Sequence, residues 1–108
     1  MNPAWGLLML VIILEVAGTT CMKLSHGYTH WKPSVLMFVF YAACFSIFPF
    51  AVKKLDIGVA YAIWAGLGTA IIALIGIFHF REPVSAIKVV SLVMVILGVI
   101  GLKLGASG

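Results

Sequence analysis

Four long apolar runs, separated by short polar or proline-bearing stretches, organise this chain. The first, residues 4–24, carries one carboxylate, Glu15, and is closed by Lys23-Leu24-Ser25-His26-Gly27. The second, residues 33–52, opens on Pro33, a residue suited to the first turn of a helix, and has Pro49 near its end, where it removes a backbone hydrogen bond. The third, residues 58–80, stops at Arg81-Glu82-Pro83, and the fourth covers residues 85–104. Each has about the 20 apolar residues that a helix needs to cross a hydrocarbon core roughly 30 Å thick. In hydrocarbon every backbone amide must be paired internally, so only helices or closed barrels span. A barrel would show alternating segments of about ten residues, whereas these runs are continuous and twice as long. The pattern predicts an all-α, four-transmembrane-helix protein, a single membrane domain over residues 1–108, with short connections making consecutive helices antiparallel neighbours.

Composition strengthens this reading. Of 108 residues, 64% are hydrophobic and 9% charged, and the mean hydropathy is +1.23. A soluble domain of this size must cover a large surface with polar groups, so here the lipid bilayer is the expected solvent. The net charge of +4 does not gather into a nucleic-acid patch; the charges stand where the runs end. Lys53, Lys54 and Lys103 fall on one side of the membrane, and Lys23, Lys32, Arg81 and Lys88 on the other. That balance gives almost no positive-inside bias. It is compatible with insertion both ways up and a dimer of opposed copies, and equally with a small-number coincidence. Cys21 and Cys44 lie inside spans, where thiols behave as small hydrophobes, and no disulfide is expected. The first 24 residues lack the basic start and small-residue cleavage site of a signal peptide.

Glu15 is the candidate functional centre. It is the one acidic residue within a run, since Asp56 and Glu82 fall between runs. A carboxylate at membrane depth is expensive and usually faces a bundle interior or water-filled cavity. No basic residue occupies the middle of another run, so a structural ion pair is not on offer. The group can stay protonated, bind a cation, or alternate between the two, and a site that alternates is the chemical minimum for exchange transport. A neutral glutamic acid that only bonds a neighbouring helix is the structural alternative. Helical spacing puts Leu8, Val11 or Ile12, Gly18, Thr19 and Met22 on the face of Glu15, with Leu8, Ile12, Gly18 and Thr19 the candidate pocket residues. Tyr61 and Trp64, three apart in the third run, present rings that attract cations stripped of water; the same pair also suits an interfacial aromatic belt. Tyr41 and Phe45, one turn apart in the second run, extend the candidate pocket or pack in the core.

Small residues suggest helix contacts. Gly58, Ala62, Ala65 or Gly66, Thr69, Ala73 and Gly76 form a stripe that lets another helix approach, and Gly66 and Gly68 mark a candidate bend. Ser91, Met94, Gly98 and Gly101 make one face of the fourth helix a candidate dimer interface. Four helices form a bundle too thin to enclose a solute path, which also predicts a homo-oligomer, most simply a dimer. His26, His30 and His79 lack metal-ligand spacing. No nucleophile–base pair or phosphate loop is present, so neither cofactor, metal nor enzymatic activity is expected.

The segments Glu15-Val16-Ala17-Gly18-Thr19-Thr20-Cys21-Met22-Lys23, Ser25-His26-Gly27-Tyr28-Thr29, Pro33-Ser34 and Gly58 to Gly68 resemble the small multidrug resistance transporters. The resemblance covers nearly the whole chain. It implies an antiparallel, dual-topology homodimer in the bacterial inner (cell) membrane that exchanges protons for cationic substrates. It further implies that two copies of Glu15 share a central site beside Tyr61 and Trp64, and that helix four is the main dimer contact. Gly18-Thr19 resembles the branch that exports quaternary ammonium and other lipophilic cations. Cys44 and Ser46 around Phe45, Ser91, and the Gly98–Lys103 ending depart from that branch. They leave open an exporter of guanidinium-like or polyamine metabolites, one subunit of a heterodimer included. A membrane-assembly protein that transports nothing is the alternative of another class.

Overall fold

The computed structural model describes residues 3–106 and contains four α-helices: α1 (Ala4–Leu24), α2 (Trp31–Val52), α3 (Ile57–Phe78) and α4 (Ala86–Gly105). Each is long and apolar enough to cross a membrane. Two boundaries differ from the sequence expectation by two residues, and the other differences are of one residue. Helix α2 begins two residues before Pro33, because the N–H that proline lacks would find no acceptor in the first turn anyway. Helix α3 ends at Phe78 rather than Phe80, because the N–H groups of His79 and Phe80 both turn onto the Ile75 carbonyl, at 2.7 and 3.3 Å. The chain then reverses at Arg81, whose φ is 57°. Ser85 caps α4 by accepting from the Lys88 N–H at 3.2 Å.

Helix α1 is the organising element. It packs along α2 over the most extensive helix–helix surface and also against α3, and α3 carries α4. Consecutive helices are therefore close neighbours at α1–α2 and α3–α4, while α2 and α3 meet mainly through the rings of Phe45 and Phe48 on Trp64. The core is formed by Trp5, Leu8, Ile12, Val16, Ala60 and Ile63 with their neighbours. Burying each large apolar side chain contributes about 1.5–3 kcal/mol against water, but far less against lipid, so close packing decides the arrangement. Glycines show where. A Cβ on Gly18 would stand 2.7 Å from the Tyr41 ring, and one on Gly66 would stand 2.9 Å from Val99 Cγ2. Helix α3 is continuous through Gly66 and Gly68, and both stand where a neighbouring side chain approaches closely.

The assembly is a slab of 43 × 36 × 18 Å measured over Cα atoms. Helix α4 buries none of its residues. Ser91, Met94, Gly98 and Gly101 all lie exposed along it, with nothing within 4 Å of a Cβ built on either glycine.

Candidate functional site

Glu15 sits midway along α1, partly buried, facing α3. One turn later the Thr19 hydroxyl donates to Glu15 Oε1 at 2.9 Å. Thr19 Oγ1 is also 2.6 Å from the Tyr41 hydroxyl. Since the single Thr19 proton is committed to the carboxylate, Tyr41 is the donor in that second bond. The result is a directed chain, Tyr41 O–H to Thr19 Oγ1, Thr19 O–H to Glu15 Oε1, spanning α2 and α1. The other carboxylate oxygen, Oε2, lies 3.0 Å from where a Cβ on Gly68 would be. That glycine keeps α3 from covering the group.

Glu15 lines a groove of about 490 Å³ between α1 and α3, together with Thr19, Tyr61, Trp64, Gly68 and Thr69 among others. The Tyr61 ring meets Trp64 edge-on, with centroids 5.3 Å apart. Phe45 approaches Trp64 edge-on from α2 at 5.8 Å, and Phe48 backs it at 4.8 Å. Trp64 Nε1 is buried and has no hydrogen-bond partner among the described residues. Buried indole N–H groups ordinarily find an acceptor, and none of the described residues supplies one here.

Of the residues singled out from sequence, Glu15, Thr19, Tyr61 and Trp64 meet in one groove, and Tyr41 joins them through Thr19. Phe45 stands next to Trp64 and is 55% exposed. Leu8 and Ile12 do not line the groove; at 1% and 0% exposure they are packed in the core. Gly18 is likewise absent from it, covered by the Tyr41 ring. The α1 face around Glu15 is wide enough to be divided between two helices. Conversely, Ala65, Thr69 and Ala73, read above as a packing stripe, line the groove. Their spacing of four from Tyr61 onward was the available signal, because it continues the face of that ring.

Residues 3–95 match the family model described as Small Multidrug Resistance protein. The chain belongs to the small multidrug resistance family. Small multidrug resistance proteins are transporters, not enzymes, and this one is a multi-pass protein of the bacterial inner membrane. Its relatives include an uncharacterized membrane protein of Bacillus subtilis, 43% identical over 93% of this chain and 84% of that protein. A nicotine metabolites export pump subunit of Paenarthrobacter nicotinovorans is 40% identical over 95% and 89%. A guanidinium exporter of Yersinia pseudotuberculosis is 37% identical over 95% and 99%.

Proposed function

We propose that this transporter exports organic cations in exchange for protons. It works as a pair of copies in opposite orientation, whose two Glu15 carboxylates share one central site. The observation that carries the reading is the Glu15 carboxylate itself. One oxygen is held by Thr19 at 2.9 Å, the other lies beside Gly68, and the residue lines a groove that Tyr61 and Trp64 share, midway along a membrane-spanning helix. A carboxylate so placed is tolerable when it carries a proton or a cation, and costly when it carries neither. Arrival of a cation releases the proton; a proton displaces the cation. The thin slab and the bare outer face of α4 each support a second copy, which would enclose the groove.

Sequence resemblance put quaternary ammonium and lipophilic cations first, on Gly18-Thr19. The relatives do not favour that order, since guanidinium exporters and a nicotine metabolites pump subunit stand among them. Gly18 also faces Tyr41 and not the groove. We therefore place small donor-bearing cations of the guanidinium type first: their N–H groups can bond a carboxylate in pairs while their flat faces lie against Tyr61 and Trp64. Quaternary ammonium ions, which have no N–H, would rely on the rings alone. The relative that is a pump subunit favours a second arrangement, pairing with a different chain.

Proteoliposomes test the proposal. A proton gradient should drive guanidinium or a lipophilic cation uphill in the wild type and not in Glu15→Gln. Uphill exchange by the variant would sink the mechanism. Tryptophan fluorescence titrations at two pH values should show weaker cation binding at the lower pH, because proton and cation compete for one group.

A further inference from the structure

A second groove, of about 510 Å³, adjoins the first. Thr19, Ile72 and Ala73 line both, so the Glu15 groove continues into it toward the end of the molecule where α1 finishes and α3 turns into α4. One wall carries Thr20, Lys23 and His26, and the other Gly76 and Glu82. Backbone geometry puts Glu82 there. After the left-handed turn at Arg81, the Glu82 N–H donates to the Gly76 carbonyl at 3.0 Å. The carboxylate folds back over Gly76, where an added Cβ would stand 2.6 Å from Oε1. Among the groups lining this groove, Glu82 is the acid, opposed by Lys23 and His26. Lys88 of α4 lines a neighbouring groove with Glu82 and donates to the Pro83 carbonyl at 2.6 Å.

We infer that this groove is a vestibule through which organic cations reach Glu15, with Glu82 the anionic group that gathers them and Lys23 and His26 the wall that opposes them. The inference rests on reading Glu15 as the cation site. A groove with low-dielectric walls concentrates the field of the charges that line it, so the Glu82 wall gathers cations while the Lys23 wall turns them toward it. Glu82 is thus an access residue: it governs how fast a cation arrives, while Glu15 governs how tightly it is held.

The potential in the vestibule can be read without transport. Thr20 lines this groove and not the Glu15 groove, and its hydroxyl only bonds back to the Val16 carbonyl at 2.8 Å. Thr20→Cys, in a background of Cys21→Ala and Cys44→Ala, is reacted in detergent with a cationic and an anionic methanethiosulfonate of similar size. The ratio of cationic to anionic rates should fall roughly 3- to 10-fold in Glu82→Gln at low ionic strength, with the difference shrinking in high salt. It should rise in Lys23→Gln. In proteoliposomes Glu82→Gln should raise the KM for the cation several-fold and leave kcat near wild type. A ratio indifferent to Glu82→Gln, or a change indifferent to salt, overturns the inference. If that happens while Glu15→Gln abolishes exchange, the vestibule is wrong and the reading of Glu15 stands. If the ratio responds but Glu15→Gln leaves exchange intact, the groove is charged yet leads to no cation site, and the inference falls with its premise.

Discussion

Thr19 is the residue through which two helices act on the Glu15 carboxylate. Thr19→Val keeps the side-chain volume but removes the bond to Oε1 and strands the Tyr41 hydroxyl. A hydrogen bond of this kind contributes about 1–1.5 kcal/mol, so cation affinity should drop roughly five- to tenfold, with Thr19→Ser restoring most of it. Fluorescence titration at high pH, where the proton does not compete, measures the change. Gly68→Ala pushes a methyl group toward Oε2 and should weaken binding while circular dichroism stays unchanged. Glu15 and the rings were legible in the sequence because a carboxylate and paired aromatics at membrane depth have few other uses. Gly68 and Thr69 were not, since small residues serve packing, bending and lining equally well. Leu8 and Ile12 mark the same limit: periodicity names the face of a helix, not which neighbour covers each part of it.

At the scale of the elements, α3 serves α1 with one face and α4 with another. Gly68 meets Glu15, and two residues earlier Gly66 meets Val99. Gly66→Ala should therefore separate α3 from α4 and destabilise the protein by about 1–3 kcal/mol. Val99→Ala should recover part of the loss when the two are combined. Denaturant titrations of both single variants and the pair would measure that coupling. Four helices, and their ends to within about two residues, were visible from apolar length and from Lys, Pro and Gly at the breaks. The helix pairing was not, because α2 and α3 are joined by a short turn and yet meet through rings more than along their backbones. Chain connectivity limits distance, and packing of side chains chooses the partner.

As a whole molecule, the protein is 18 Å thick along its shortest Cα axis, about two helix layers, since helices pack with their axes about 8–10 Å apart. A single chain exposes its groove and the outer face of α4. Gly98→Leu tests whether α4 is the seam of a pair. Within one chain nothing lies within 4 Å of a Cβ at Gly98, so helix content and monomer fold should survive the change. Cross-linking in membranes should shift from dimer to monomer, and exchange should be lost with it. A protein that assembles with some other complex and transports nothing would instead tolerate Glu15→Gln. The thinness of four helices was evident from chain length alone; which surface stays bare required the packing.

The bareness of α4 also has a consequence in time. Helix α4 is synthesised last, after α1 and α2 have already found their most extensive contact in each other. A newly made chain can thus settle all four helices, α4 against α3, while the outer face of α4 is still uncovered. In the proposed pair, assembly must then wait for an encounter between finished chains diffusing in the membrane. While single chains are in excess, working exporter accumulates as the square of the amount synthesised, so a modest rise in expression yields a disproportionate rise in efflux.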